Sequence, residues 1–165
     1  DGLVCARYLA GWGFAVQCWL TKDVNELRGL AAHQLQICEK IGIPIAGPET
    51  SIDVAAVDLV VDGIFGFGLT AAPTGRAAQL IEAANLSGAM ILAIDLPSGV
   101  DATSGVAYCP SIVAGTTVTL GLPKQGLLAG DGPAQSGRVI VADIGIPTAA
   151  YALSLIHISE PTRPY

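Results

Sequence analysis

The 165-residue sequence is poor in charged side chains, in aromatic side chains and above all in positive charge. Charged residues make up 13% of the chain and aromatic residues 5%, and eight Lys and Arg stand against fourteen Asp and Glu. The resulting net charge of −6 would repel a polyanionic backbone. We therefore expect no nucleic-acid partner.

Long hydrophobic runs and paired cysteine motifs are also missing. The longest apolar stretches, residues 89–94 and 113–122, are shorter than the roughly 20 residues that a membrane helix needs, so no membrane span is expected. The four cysteines show no CxxC spacing, which argues against a zinc site. Scattered cysteines in apolar surroundings favour reduced thiols in a cytoplasmic protein.

Apolar residues are abundant, at 52% of the chain, which is enough for one buried core in a domain of this length. Strand patterns cover residues 14–20, 43–46, 57–61, 89–94, 116–120 and 138–141, and helical patterns cover residues 3–12, 27–41 and 75–86. A capping-box pattern at residues 23–26 predicts the start of the second helix. The alternation predicts a three-layer α/β/α Rossmann-like fold with a mostly parallel sheet.

Both ends of the sequence depart from this pattern. No initiator Met is present, and no strand precedes the first helical pattern, so we expect the fold to be incomplete at the N-terminus. Residues 153–165 change abruptly in character and resemble the translation of a sequencing-library adapter. We therefore predict one partial domain over residues 1–152 and a non-native tail over residues 153–165.

Three segments carry polar side chains to the predicted carboxyl ends of strands, where open parallel sheets bind ligands. Asp62 ends one strand and is followed by a glycine-rich turn, Asp95 ends another and is followed by Ser98, and Lys124 follows a third. Each feature alone has an ordinary structural explanation. Glycines after a strand commonly form turns, an acid in a loop commonly accepts hydrogen bonds from the backbone of a turn, and a single lysine is commonly exposed to solvent. Taken together, the three segments predict a site for a phosphate-bearing ligand.

The same segments resemble the YjeF N-terminal domain family, whose members are NAD(P)HX epimerases. The resemblance rests on residues 1–4, 61–68, 94–101, 122–126 and 143–147. Its most specific part is the Asp-x-Pro-Ser-Gly motif at residues 95–99 with the Pro-Lys-x-Gly motif at residues 123–126. The family carries a Gly-Asn-Asn-Gly-Gly-Asp-Gly loop, and this sequence starts at the final Asp1-Gly2 of that loop.

The resemblance implies epimerisation of the R and S forms of hydrated NADH and NADPH, a repair reaction that prepares them for an ADP- or ATP-dependent dehydratase, fused or separate. It implies a homodimer as well. It also implies a potassium ion held by Asp62, Ser98 and an Asn of the N-terminal loop. The residues implied to contact the substrate are Asp1, Gly66, Phe67, Gly68, Leu69, Thr70, Ala71, Ala72 and Asp95.

For the chemistry, we hypothesise that Asp95 moves the proton needed to break and remake the bond to the hydroxyl, and that Lys124 assists electrostatically. An alternative is a non-catalytic Rossmann-like module that binds a nucleotide or a protein, because one fold hosts many functions. A Rossmann dehydrogenase would need G-x-G-x-x-G directly after the first strand. The glycines of residues 66–68 belong to a later turn, which disfavours that reading.

Overall fold

Helices and strands alternate along the chain in this computed structural model, which describes residues 1–54 and 56–147. The expected tail lies outside the described residues. The helices are α1 (Gly2–Gly11), α2 (Gly29–Lys40), α3 (Gly75–Leu86) and the short α4 (Gly132–Ser136). The strands are β1 (Cys18–Trp19), β2 (Ile45–Ala46), β3 (Leu59–Asp62), β4 (Met90–Ile94), β5 (Thr116–Leu120) and β6 (Arg138–Ala142).

All strand pairs of the described residues are parallel, as the alternating pattern predicts. Strands β1 and β2 form one pair, and β3, β4, β5 and β6 form a four-stranded sheet in sequence order. The register sets Asp62 of β3 beside Ala93 of β4, and Ile94 of β4 beside Val118 of β5. The carboxyl ends of β3 and β4 therefore meet at one edge of the sheet.

Helix α3 covers one face of the four-stranded sheet. Its Ile81 and Ala84 pack with Ile91 and Ala93 of β4 in a buried apolar cluster. These two helical positions are three residues apart and so lie on the same side of the helix. A second cluster joins the loop after β4 to the loop after β5, through Leu96 and Leu127 among others. The two clusters fix the loops that leave the carboxyl edge.

The N-terminal helices pack around the β1–β2 pair. Ala6 of α1, Cys38 of α2 and Ile43 are buried together, with Cys18 of β1 packed against them. Of the four cysteines, Cys38 is buried and Cys5 and Cys18 are partly buried, whereas Cys109 is exposed and so does not lie in the apolar surroundings expected for it. Among the described residues, no helix is long and apolar enough to cross a membrane.

Several predicted elements differ from the structure in their bounds. Strand β2 covers only residues 45–46 of the predicted 43–46, and β3 covers residues 59–62 instead of 57–61. The strand predicted at residues 14–20 is limited to the two residues of β1, because its partner β2 offers only two residues for pairing. The capping pattern at Asp23 caps a 3₁₀ turn over Val24–Glu26, where its side chain accepts a hydrogen bond from the Asn25 N–H at 2.8 Å. Helix α2 starts only at Gly29, whose φ of +58° breaks the chain away from that turn.

Candidate active site

Asp62, the last residue of β3, is the most deeply buried carboxylate of the site, with 3% of its surface exposed. It accepts hydrogen bonds from the Ser98 N–H at 2.7 Å, the Ser98 hydroxyl at 2.6 Å and the Ile64 N–H at 3.2 Å. Burial raises the pKa of the Asp62 carboxyl above its ordinary value, and the hydrogen bonds from Ser98 and Ile64 oppose that rise. Asp62 thus joins the loop after β3 to the loop after β4.

Ser98 extends this link to the glycine-rich loop. Its hydroxyl oxygen accepts a hydrogen bond from the Phe65 N–H at 2.9 Å, while the hydroxyl itself donates to Asp62. On the other side of the loop, Gly63 packs against the backbone of Gly2 so closely that a Cβ would lie 2.9 Å from the Gly2 Cα. The start of α1 is thereby held next to the glycine-rich loop.

We expect Ser98→Ala to destabilise the fold by about 1–3 kcal/mol, because it leaves the Phe65 N–H without its acceptor and removes a donor from a buried carboxylate. Urea denaturation measures the loss. The matched control is Ser51→Ala at an exposed position, for which we expect a change within about 0.5 kcal/mol. Equal effects of the two substitutions would contradict the structural role of Ser98.

Asp95 stands directly after β4 in the left-handed backbone region, with a φ of +70°. Asp tolerates this region better than most residues do. Its N–H donates to the Val118 carbonyl at 2.7 Å, so the backbone at this turn is fixed by the neighbouring strand. Its Oδ1 accepts hydrogen bonds from the Leu120 N–H at 3.0 Å and the Thr119 hydroxyl at 3.3 Å, and it forms an ion pair with Lys124.

The second carboxylate oxygen of Asp95, Oδ2, has different surroundings from Oδ1. Among residues 1–54 and 56–147, every hydrogen-bond donor to the Asp95 side chain reaches Oδ1, and Oδ2 receives none. The side chain keeps 18% of its surface exposed and lines a cavity. One oxygen is therefore anchored, and the other is available to a ligand.

Lys124 is held in place by β5. Its ammonium group donates to the Leu120 carbonyl at 2.9 Å in addition to its pairing with Asp95. The fully buried Thr119 contacts both partners of this ion pair: its hydroxyl is 3.3 Å from Asp95 Oδ1 and 3.5 Å from the Lys124 ammonium. Sequence reasoning missed Thr119, because a threonine inside a strand pattern gives no functional signal.

Two cavities open at this edge. The smaller has a volume of about 170 Å³ and is lined by residues that include Asp1, Gly63, Ile94 and Asp95. The larger has a volume of about 530 Å³ and lies between the glycine-rich loop, the start of α3 and Thr21 and Lys22. Both share Phe65, Gly66 and Phe67 in their walls, so they adjoin along the glycine-rich loop.

The residues predicted for the site divide between these places. Those on the small cavity are Asp1 and Asp95, those on both cavities are Gly66 and Phe67, and those on the large cavity alone are Gly68, Leu69, Thr70, Ala71 and Ala72. Asp62 and Ser98 lie behind the loop as a hydrogen-bonded pair. Lys124 is not part of the wall of the small cavity, and it contacts Asp95, which is. Within the described ranges, no group of three or more His, Cys, Asp and Glu forms a metal cluster.

Comparison with known proteins identifies the family. The family model described as "YjeF-related protein N-terminus" matches residues 1–126, which is more than half of the chain. The chain belongs to this family. The YjeF-related N-terminal domain thus contains both carboxylates and the glycine-rich loop described above, and the sequence resemblance is confirmed.

Individual relatives of this YjeF-related chain agree with the family model. It is 40% identical over 154 residues to the "Bifunctional NAD(P)H-hydrate repair enzyme Nnr" of Moorella thermoacetica, covering 89% of this chain and 29% of that protein. It is 38% identical to the "NAD(P)H-hydrate epimerase" of Dehalogenimonas lykanthroporepellens, and the match covers 91% of this chain and 59% of that protein. It is also 38% identical to the "NAD(P)H-hydrate epimerase" of Levilactobacillus brevis, over 88% of this chain and 67% of that protein. The chain therefore spans between about a third and two thirds of these relatives.

A solved structure shows the same fold. The crystal structure of the yeast protein ynu0 superposes with a TM-score of 0.74 at 22% identity, over 89% of this chain and 62% of that one. At this identity the likeness shows the fold alone. It confirms the Rossmann-like α/β arrangement predicted from the sequence.

Proposed function

We propose that this YjeF-related chain interconverts the R and S epimers of hydrated NADH and NADPH. The observation that carries the proposal is the Asp95 carboxylate, which is anchored through Oδ1 by β5 and Lys124 while Oδ2 stays available beside a cavity. A fixed carboxylate with one available oxygen suits proton transfer to a bound substrate. The relatives named NAD(P)H-hydrate epimerase support the same activity.

The chemistry requires one proton to be moved twice. Starting from its ion pair with Lys124, the Asp95 carboxylate takes up a proton from solvent at Oδ2 and donates it to the hydroxyl on carbon 6 of the ring. The carbon–oxygen bond breaks, and water leaves while the ring nitrogen supplies an electron pair to form a C=N bond. Water then adds to either face of the planar carbon, and the carboxylate regains the proton. No hydride is exchanged, so no redox partner is needed. Lys124 stabilises the ionised Asp95 between the two transfers.

The function is tested by coupling the chain to a stereospecific dehydratase that consumes one epimer. With the dehydratase alone, an epimer mixture should stop at the fraction that matches the consumed form, apart from slow spontaneous conversion. Addition of this chain should bring consumption to completion. A chain that binds the mixture to saturation but leaves the second epimer unconsumed would be a binding module, which is the alternative reading.

We further propose that Asp62 and Ser98 hold a potassium ion. Their fit rests on the donor set: a carboxylate, a hydroxyl and the Phe65 carbonyl 3.4 Å from the Ser98 hydroxyl supply the oxygen atoms that hard cations prefer. Asp62 is a buried carboxylate, and a positive charge beside it would offset the cost of burying its negative charge. The ion would neutralise this carboxylate and brace the glycine-rich loop.

Potassium chloride should raise the thermal unfolding midpoint of the chain by a few degrees relative to choline chloride at the same ionic strength, because a ligand of the folded state stabilises it. Asp62→Asn should abolish the difference, since it removes the charged ligand. An exposed substitution, Asp58→Asn, serves as the control and should leave it intact. An identical midpoint in both salts for the unsubstituted chain would contradict the potassium site.

A dehydratase is the partner that this activity requires, because epimerisation alone does not restore the cofactor. The relatives named as bifunctional repair enzymes are much longer than this chain, which covers 29% and 30% of two of them. We propose that the chain delivers the epimer on which such a dehydratase acts. Both hydrated cofactors are candidate substrates, because the small cavity at Asp95 would contact only the ring that they share.

A further inference from the structure

The larger cavity has an unusual charge for this chain. Its walls contain two cationic residues, Lys22 and Arg76, and no Asp or Glu. The chain as a whole has fourteen acids and eight Lys and Arg. A cavity lined by one sign of charge attracts a ligand of the opposite sign. The walls therefore favour an anion.

Hydrogen bonds to the segment after β2 fix the position of Arg76. Its Nη2 donates to the Thr50 carbonyl at 2.6 Å and to the Gly47 carbonyl at 3.4 Å, so the guanidinium is tied to the segment after β2. Its Nε is buried and has no hydrogen-bond partner among the described residues. Because Nε has almost no accessible surface, the guanidinium contributes to the cavity wall through its positive charge and not through a contact at Nε.

The start of α3 adds to the positive field on the same wall. Thr74, the N-cap residue of this twelve-residue helix, makes no side-chain capping hydrogen bond, and both Thr74 and Ala77 line the cavity. Backbone N–H groups in the first turn of a helix carry partial positive charge and favour anions. The start of α3 therefore adds a smaller positive potential to that of the two cationic side chains, Lys22 and Arg76.

We propose that the larger cavity binds a phosphate group of the dinucleotide through Lys22 and Arg76, while the smaller cavity takes the hydrated ring beside Asp95. The proposal rests on the proposed function for the identity of the ligand. The two cavities share Phe65, Gly66 and Phe67, so one extended molecule can occupy both. Two phosphate groups fit this chemistry: the bridging diphosphate, and the ribose 2′-phosphate found only in the phosphorylated cofactor.

The test is a calorimetric titration with NADP⁺ and NAD⁺, which are not hydrated and need no turnover to bind. Lys22→Ala should weaken binding about tenfold, the loss of one charge-assisted contact. Arg76→Gln, which removes the charge, should weaken binding in the same direction. Lys40→Ala, at the exposed end of α2 away from the cavity, is the matched control and should bind normally. Circular dichroism verifies that each variant is folded.

The pattern of losses identifies the phosphate. Weaker binding of both nucleotides supports the bridging diphosphate, and weaker binding of NADP⁺ alone supports the 2′-phosphate. Unchanged affinity for both nucleotides in folded Lys22→Ala and Arg76→Gln overturns the proposal, as does a complete failure of the unsubstituted chain to bind either one. A chain that shows the predicted losses but does not convert epimers would refute the proposed function and leave the phosphate site standing.

Discussion

Asp95→Asn is expected to lower the rate of epimer interconversion by a factor of about 100 or more, the contribution typical of a positioned acid or base. Asn tolerates the left-handed backbone at this position as Asp does, so the turn at φ +70° should survive the change. The amide cannot carry the proton between the two half-reactions. The effect should therefore fall on turnover, with nucleotide affinity changed by no more than a few-fold.

The matched control for this substitution is Asp58→Asn. Asp58 is exposed and immediately precedes β3, so it lies at the opposite edge of the same sheet. We expect its interconversion rate to equal that of the unsubstituted chain. Rates are measured from a single purified epimer by nuclear magnetic resonance, with spontaneous conversion subtracted. If Asp95→Asn binds normally and retains its rate, Asp95 is not the acid–base group.

Gly126→Ala is expected to destabilise the fold by at least about 3 kcal/mol, because a buried backbone position has no room for a methyl group. A Cβ at Gly126 would collide with the Asp101 carbonyl oxygen and lie 2.8 Å from the Ala102 carbonyl carbon. These are backbone atoms, and the Gly126 N–H also donates to the Ala102 carbonyl at 2.7 Å. The two loops cannot separate without losing that bond.

The Gly126→Ala substitution would also disturb the active site, because Gly126 follows Lys124 by two residues in the same loop. Displacement of this loop would move the lysine away from Asp95. Gly11→Ala provides the control: this residue ends α1 and a Cβ there would meet no atom within 4 Å. We expect that change to alter the free energy of unfolding by less than about 1 kcal/mol. Similar urea midpoints for the two variants would show that the loops adapt, against the packing described.

The most accurately predicted elements are those whose bounds can be read from their own residues. The helix expected at residues 75–86 and the strand expected at residues 116–120 match α3 and β5 to the residue. A helix carries its own hydrogen bonds and one apolar face, so its pattern is local. The strand expected at residues 14–20 was too long, because the length of a strand depends on its partner, and β2 is two residues long.

The second helix shows how one local signal can mislead. Asp23 does cap a backbone N–H, that of Asn25, as the pattern indicates, but the turn that it caps stops after three residues. Gly29 follows with a left-handed backbone, and the helix begins again from there. Gly29 lies inside the apolar periodicity of residues 27–41, and that periodicity does not indicate at which residue the helix starts.

The sequence predicted the site residues that lie at the ends of strands, but not the contacts between segments. Asp62 and Asp95 follow apolar strand patterns, so their meeting at one edge follows from a parallel sheet. The pairing of Asp95 with Lys124 depends on β4 and β5 being neighbours, and no spacing rule gives that. Lys22 and Arg76 come together from segments far apart in the chain, and neither belongs to a motif.

The proposed action of Asp95 on a bound hydrated ring is tested most directly by an experiment that starts from one pure epimer of hydrated NADH. The unsubstituted chain should bring the epimer to the equilibrium mixture many times faster than buffer alone, with a rate proportional to protein concentration. An interconversion rate equal to that of buffer, under conditions in which titration shows the ligand to be bound, would contradict the enzymatic account.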